Sequence, residues 1–552
     1  MSAASSPVRH IFLNGFMGTG KTTVGRLLAA KLDLQFIDLD SEIEREAGQT
    51  IARIFGSSAE GALSSGEATF RSLERQTLSE VISRQDQRAV IALGGGALLD
   101  ESNRQAVETA GQVVTLECTP QEILRRVGAD TSRPLLAVVD QPRLDPAAEI
   151  RALLDKRFDA YGVYRNVRTD GMSPPEVADR ICGSEHEDPS LEGKNLGPTF
   201  EVRLPGQHPT SVCFGDVKQY DEDKLFSGDT VIVTDSVVGE LHAPSLQELL
   251  DGWGGATTPV IVFPAGESSK TIDQAGLILS RLKEFGFPRE TTVIALGGGV
   301  VCDLAGFVAS TYMRGVTLVS IPTSLLAQVD AGIGGKTGVD LDGAKNLVGT
   351  FFAPTAIFID RSYLKSQPAG GISQGLAEII KMGFVRSERL LEQVEIMSKP
   401  SDVIDEPDII RLAVRNKVAV VNRDPVETTQ VRALLNFGHT IGHAVESLTG
   451  YAISHGECVS IGMVAEARIA QMLGITETGA VNRLISILFK MGLPTRIPDV
   501  GRGELMAAMR ADKKVAGGTI RMVMLKDAGS AELMPVDDRD LQRLLPELDG
   551  CI

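Results

Sequence analysis

The sequence predicts an α/β protein in three folded parts: two domains built on mostly parallel sheets, then an α-helical domain. Three observations carry this. A short apolar run, Val8–Leu13, feeds a glycine-rich loop and then an amphipathic stretch from Thr23 to Leu32. Strand-like runs at Thr230–Thr234, Val260–Phe263 and Thr291–Leu296 alternate with helical segments such as Ser269–Phe285, the pattern that buries a parallel sheet between helices. Helical periodicity then continues through Gln374–Phe384, Asp408–Val421, Val431–Ser447, Val459–Leu473 and Gly479–Lys490.

Length and composition are consistent with this. The 552 residues are 43% hydrophobic and 23% charged, enough for several cores. Fifty-five basic against 72 acidic residues give a net charge of −17, which argues against a nucleic-acid partner. The 6 cysteines show no CxxC spacing, and neither a signal peptide nor an 18-residue apolar run occurs, so the expectation is a cytoplasmic protein without a membrane partner. The acidic, Gly/Pro-bearing stretch 184–198 reads as a flexible linker. It separates a first domain, 1–183, from an α/β domain, 199–365, and a helical domain, 366–552.

In the first part, Gly15-Phe16-Met17-Gly18-Thr19-Gly20-Lys21-Thr22 completes the G-x-x-x-x-G-K-[ST] pattern between strand and helix. Glycines let backbone N–H groups wrap phosphates, Lys21 reaches the β- and γ-phosphates, and the Thr22 hydroxyl can ligate Mg²⁺. Phe36–Asp40 is expected to end a second strand with Asp38 and Asp40 on one side, although paired aspartates there also serve as helix caps. Val90–Leu93 closes on Gly94-Gly95-Gly96, where backbone can approach a small ligand. Arg71, Arg133 and Arg157 are isolated guanidinium groups suited to a carboxylate or a nucleotide.

In the rest of the chain, three of the 7 histidines fall at 439, 443 and 455, a clustering that suggests a metal site. Glu378, between apolar neighbours on a predicted helix, needs a partner if buried, and a metal shared with His439 and His455 would be one. His439-Thr440-Ile441-Gly442-His443 lacks the glutamate of HExxH, which excludes a zinc peptidase of that kind. Leu296-Gly297-Gly298-Gly299 echoes the earlier triple glycine, but the flanks differ and no repeat is inferred. With Gly266–Lys270 and Pro322-Thr323-Ser324 it suggests a dinucleotide site at a sheet's carboxyl edge. Arg314, Lys336, Lys345-Asn346 and Lys381 are dense for loop and apolar sequence, as a phosphorylated substrate would require.

Residues 8–182 closely resemble the shikimate kinases, on the phosphate loop, Asp38-Leu39-Asp40, Phe70-Arg71, Leu93-Gly94-Gly95-Gly96 and Thr131–Leu136. The resemblance implies a P-loop kinase domain in which Gly15, Gly18, Thr19, Gly20, Lys21, Thr22, Thr23 and Arg133 bind ATP. It also implies that Thr22 and Asp38 hold Mg²⁺, that Asp40, Arg71, Gly95 and Arg157 hold shikimate, and that Asp40 is the base. The stretch 56–68 is longer than is usual in that family.

From about residue 210 the chain resembles 3-dehydroquinate synthase, on Tyr312–Gly315, Pro322–Asp330, Gly334-Gly335-Lys336, Ala344-Lys345-Asn346, Ala377–Lys381 and Arg432–His439. This implies a Rossmann-like NAD-binding domain with Glu267, Lys270, Gly298, Gly299, Asp303, Thr323, Ser324, Lys336 and Lys345 toward NAD. Zinc or cobalt would be held by Glu378, His439 and His455, with His443 off the metal and facing substrate. Asp330, Lys336, Asn346, Lys381, Arg432, Asn436 and His443 would be catalytic, and Arg314 and Lys514 would bind substrate. Cys302 and Ser324 depart mildly from the family's usual glycine and threonine.

Together the resemblances imply ATP-dependent phosphorylation of shikimate and conversion of 3-deoxy-D-arabino-heptulosonate 7-phosphate to 3-dehydroquinate, in a homodimer formed through the second half. A metal-dependent polyol dehydrogenase is the rival for that half, but it has no use for the converging cations. A nucleotide-sensing first half is the other alternative, and the presence of Lys21, Thr22, Asp38 and Asp40 counts against it.

Overall fold

His10–Gly15 (β1) is buried at every position, as a central strand covered on both faces must be. It pairs in parallel with Ala89–Ala92 (β3) on one side and Gly111–Glu117 (β4) on the other. Gln35–Asp38 (β2) and Arg165–Arg168 (β5) complete the parallel order β2-β3-β1-β4-β5. Ile11, Leu13, Val90, Val114 and Leu116 pack on Val24 and Leu28 of the helix Lys21–Lys31 and on Val177 and Ile181 of the helix Pro174–Cys182. The computed structural model describes residues 10–56, 63–84, 87–127, 146–182, 200–219, 229–254, 257–342, 344–512 and 519–550. Arg133, Lys514, the 184–198 linker and part of 56–68 lie outside them.

The chain divides into two units, Met1–Glu201 and Val202–Ile552. In the second, Thr210–Phe214 (β7), Thr230–Asp235 (β8), Val260–Phe263 (β9), Thr292–Gly297 (β10), Thr317–Pro322 (β11) and Ala356–Ile359 (β14) pair in parallel as β7-β14-β11-β10-β8-β9. The chain leaves β8 toward β9 and leaves β10 toward β11, so the sheet's order reverses between β8 and β10. A crevice opens at the carboxyl ends of strands at such a point. An antiparallel hairpin, Lys336–Leu341 (β12) and Ala344–Phe351 (β13), lies beside this sheet. The five described cysteines form no disulfide with one another. No helix among the described residues is long and apolar enough to cross a membrane.

Several local expectations are corrected. Strand β2 stops at Asp38, which caps the helix Leu39–Ala47 by accepting from Ser41 N at 3.4 Å; Asp40 lies in that helix's first turn. The two carboxylates therefore do not alternate along one strand. The predicted helix Ser269–Phe285 is a 3-10 turn, Glu267–Ser269, followed by a helix Ile272–Glu284 whose cap is Thr271. The predicted helix Val431–Ser447 is broken, because Gly438 at φ 80° separates the turn Arg432–Asn436 from the helix His439–Leu448. The region 366–552 is mainly helical but includes the antiparallel hairpin Thr519–Asp527 (β15) and Ser530–Asp537 (β16). Its alternating apolar residues Ile520, Met522 and Met524 pack against Ile441, Val445 and Ile469.

Candidate active sites

In the first unit the glycine loop leaves β1 through Gly18 and Gly20, with φ of 79° and 98°. It enters the helix Lys21–Lys31, whose N-terminus has no side-chain cap. Open backbone N–H groups at a helix N-terminus beside glycines form an anion site. Lys21 Nζ donates to Gly15 O at 2.8 Å and Phe16 O at 3.1 Å, so the ammonium is held over the loop. Thr22 donates its hydroxyl to Asp38 Oδ2 at 2.7 Å, a hydroxyl and carboxylate pair suited to a magnesium shell. Gly18, Thr19, Gly20, Lys21, Thr22, Thr23, Asp38 and Asp40 line one cleft of about 490 Å³, which Arg126 and Pro174 also border.

The triple glycine after β3 forms the other end of the site. A Cβ on Gly94 would lie 2.9 Å from Asp40 Oδ1 and 2.9 Å from Glu74 Oε1. One on Gly96 would lie 2.5 Å from Arg71 Nη2, so bare backbone lets these side chains close in. Arg157 donates to Gly95 O at 2.9 Å and stacks over Phe16 at 5.0 Å. Arg71 donates to Glu74 at 2.7 Å. Two arginines and Asp40 thus surround a glycine shelf, a geometry for a small polyhydroxylated carboxylate.

Glu74 escaped the sequence reading. It is 1% exposed, and burial pushes its carboxyl up against the opposing pull of Arg71. Its spacing three residues after Arg71, on the helix Leu63–Arg84, was the available signal. Arg126 also went unnoticed; it donates to Thr169 at 3.1 Å and 2.9 Å beside the phosphate loop.

In the second unit Glu378, on the helix Ala369–Arg386, is buried. His439 Nε2 and His455 Nε2 each lie 3.7 Å from the same oxygen, Glu378 Oε1. That oxygen accepts no hydrogen bond of good geometry among the described residues. The other nitrogens face acceptors: His439 Nδ1 is 3.2 Å from Phe437 O, and His455 Nδ1 is 3.4 Å from Glu446 Oε2. Both imidazoles therefore turn Nε2 toward one buried carboxylate and Nδ1 toward an acceptor, the donor set that a divalent metal needs. The three groups fit such an ion. His443 lies with its ring 5.1 Å from His439 and 5.8 Å from His455, and its nitrogen groups with Glu446 and His455 rather than with Glu378.

Charge around the cluster is organised in the same way. Burial and then the Lys381 charge push His439 well below the ordinary imidazole value. Burial acts likewise on His455, but Glu378 and Glu446 outweigh it and raise the group to about 9. Lys381, 2% exposed, pairs with Glu378 and, with the two imidazoles, keeps that carboxyl ionised despite its burial.

Next to it is a residue the sequence reading missed, Lys417, on the helix Pro407–Arg423. It pairs with Asp330, and burial with the charges of Arg432 and Lys381 lowers it to about 8 against the pull of Asp330. Arg432 is 4% exposed, donates to Pro425 O at 3.1 Å and faces Glu427, which also pairs with Lys336. Lys381, Lys417 and Arg432 thus form a buried cationic group suited to a phosphorylated substrate. Lys417 lay inside an ordinary helical period, so only its lysine-in-apolar context could have marked it. Asn436 is exposed at the end of its turn. Arg314 is exposed at φ 65°, and the structure does not bring it into the buried cationic group.

At the sheet's reversal, β10 ends in Gly297 and the helix Gly299–Thr311 begins without a side-chain cap. Gly298 faces Ser324, where a Cβ would lie 3.4 Å from the hydroxyl, and Thr323 N donates to Gly297 O at 2.9 Å. Lys270 bridges Asp303 and Asn346, and burial lifts Asp303 to about 6 while Lys270 restrains it. Lys345 stands between Glu446 at 2.8 Å and Glu267 at 3.7 Å. Open backbone, an uncapped helix and paired polar groups at the crevice are the requirements of a dinucleotide site.

A shikimate kinase family model matches residues 17–183, and 3-dehydroquinate synthase N-terminal and C-terminal models match 260–374 and 375–515. A bifunctional shikimate kinase/3-dehydroquinate synthase of Thermotoga maritima is 31% identical over 536 residues, covering 96% of this chain and 99% of that one. A 3-dehydroquinate synthase of Symbiobacterium thermophilum is 43% identical over 311 residues, 55% of this chain and 86% of its own. Among solved structures, the 2-epi-5-epi-valiolone synthase of Streptomyces hygroscopicus subsp. jinggangensis, with NAD⁺ and Zn²⁺ bound, is 26% identical at TM-score 0.57. It covers 64% of this chain and 99% of its own. A 2-deoxy-scyllo-inosose synthase complexed with carbaglucose-6-phosphate, NAD⁺ and Co²⁺ is 25% identical at TM-score 0.55, covering 63% and 99%.

Proposed function

The chain belongs to the bifunctional shikimate kinase/3-dehydroquinate synthase family, and we propose that its two units run two separate reactions of aromatic biosynthesis. The first is transfer of the γ-phosphoryl of ATP to shikimate, giving shikimate 3-phosphate. The second converts 3-deoxy-D-arabino-heptulosonate 7-phosphate to 3-dehydroquinate with release of phosphate. The observation that supports the second most directly is the convergence of His439 and His455 on Glu378 Oε1, beside the buried cations Lys381, Lys417 and Arg432.

In the kinase, the glycine loop and Lys21 hold the ATP phosphates while Thr22 and Asp38 hold Mg²⁺. Arg71 and Arg157 fix the shikimate carboxylate, and the Asp40 carboxylate takes the proton of the attacking hydroxyl. Positioning and electrostatics supply most of the acceleration in such a transfer.

In the synthase, Glu378, His439 and His455 would hold Zn²⁺ or Co²⁺, and the crevice around Gly298, Asp303, Thr323 and Lys345 would hold NAD. When bound, these supply a Lewis acid and a reversible hydride acceptor. Lys381, Lys417 and Arg432 hold the anionic substrate, and each positive group on the phosphate stabilises the charge of the leaving group by about 2–3 kcal/mol in a dry site. His443, with its ring 5.1 Å from His439, is suited to proton transfer or phosphate binding. The lack of a disulfide among the described cysteines suits a reducing cytoplasm. A homodimer through the second unit is supported by exposed Leu347, Met313 and Phe351, and light scattering tests it.

The experiment is a coupled assay of the whole chain with each substrate, with and without chelator. Both activities are expected, with only the synthase lost to a transition-metal chelator and regained with Zn²⁺ or Co²⁺. Absence of either activity in metal-replete protein, or steady NADH formation from a simple polyol, would refute the reading.

A further inference from the structure

Glu446 takes no part in the reactions described above, yet it sits where the metal cluster and the nucleotide crevice meet. It belongs to the same helix as His439, one turn beyond His443, and is 5% exposed. Its carboxylate has two partners from different elements. One oxygen accepts from Lys345 Nζ, on β13, at 2.8 Å; the other lies 3.4 Å from His455 Nδ1, on the helix His455–Met472. His455 Nε2 in turn points at Glu378. Lys345 also lies 4.6 Å over the Tyr451 ring, which confines its approach.

The arrangement is asymmetric in an informative way. His439 has its Nδ1 proton held by a backbone carbonyl, Phe437 O, which is fixed by the fold. His455 relies on a side chain, and that side chain is held by an ammonium from the nucleotide side. A carboxylate behind a ligating imidazole fixes its tautomer and raises its basicity. Its own ionisation and position depend on what neutralises it when buried. The two groups placed to offset the burial of Glu446 are Lys345 Nζ at 2.8 Å and His455 Nδ1 at 3.4 Å.

We propose that Glu446 is a positioning residue for the metal, presenting the Nε2 lone pair of His455 to the ion, and that Lys345 acts on the metal through it. Lys345 is then more than a cofactor contact. It is the cation that keeps the positioning carboxylate in place, so a residue touching no metal ligand sets metal affinity. This rests on Glu378, His439 and His455 as the metal site.

The test is metal affinity of the full chain, measured by competition with a chromophoric chelator in the absence of any nucleotide. The Co²⁺ visible spectrum is recorded in parallel. Glu446→Gln and Lys345→Met are each expected to weaken Zn²⁺ or Co²⁺ binding 10–100-fold. The double variant is expected to lose no more than the weaker-binding single variant, because both act through one contact. The Co²⁺ band of the Glu446→Gln protein should shift in position or intensity, which general destabilisation would not produce. Circular dichroism of the metal-free proteins separates loss of folding from loss of affinity, with Glu446→Asp as the second variant, expected to lie between. Affinities within twofold of the parent, or fully additive losses, would overturn the proposal. Failure of the parent chain to bind metal at all would instead overturn the assignment of the site.

Discussion

Gly462 lies against the carbonyl of Gly438 so closely that a Cβ on Gly462 would stand 1.8 Å from that oxygen. The helix carrying His455 and the segment that starts the helix of His439 can meet at this distance only where a side chain is absent. Glu466, one turn further along and fully buried, accepts from Gly438 N at 2.8 Å and Thr440 N at 2.9 Å and locks the same junction. Gly462→Ala should therefore part the two helices, destabilising the second unit by about 3 kcal/mol. The only tryptophan, Trp253, lies in that unit, so urea unfolding followed by its fluorescence measures the loss. An unchanged midpoint would contradict the close contact.

Lys417 predicts opposite pH dependences for stability and turnover. Burial, with the charges of Arg432 and Lys381, lowers it to about 8 from 10.5. Between those values the unfolded chain holds a proton that the folded chain has lost, so this group's contribution to stability rises with pH across the window. Turnover that needs the ammonium instead falls as pH rises through about 8. The kcat/KM profile of the synthase should lose roughly tenfold per unit above that point. Lys417→Arg, always charged, should remove this limb even if its maximum is lower.

Asp40→Asn removes the carboxylate proposed to take the shikimate hydroxyl proton while keeping its size. Phosphorylation of shikimate is expected to fall by about 10²–10⁴-fold, with synthase turnover unchanged. Two independent substrate assays on one preparation decide the matter. Loss of both activities would mean that the units do not work separately.

His455→Ala removes one of the two imidazoles aimed at Glu378 Oε1, whereas His443→Ala removes a ring outside that group. After dialysis, metal per chain should drop to background in the first variant and stay near the parent value in the second. Equal retention in both would reassign the ligands.

Much of the local chemistry was legible from side-chain type and spacing. Gly15–Thr22 announced a phosphate loop because few other functions need that glycine pattern before Lys-Thr. Three histidines within seventeen positions announced a metal for a comparable reason. The helix through 431–447 was misread because Arg432–Asn436 and His439–Leu448 are both helical in period, and Gly438 breaks them only by turning left-handed. Asp40 was placed on a strand because a period of two cannot distinguish a strand end from a capped first turn.

What the sequence by itself determined was the set of groups available for chemistry: a glycine-rich loop before Lys-Thr, a carboxylate and imidazoles of metal-ligating type, and cations of the kind that suit a phosphate. These follow from residue chemistry, which is local. What only the tertiary structure decided was which groups face one another. Lys417 joins Asp330 across 87 residues, and Lys345 reaches Glu446 across 101. Glu74 comes to rest against the glycine shelf beyond β3. Such pairings arise from burial and close packing of distant segments, where one missing Cβ or one buried countercharge settles the contact, and no linear spacing encodes them.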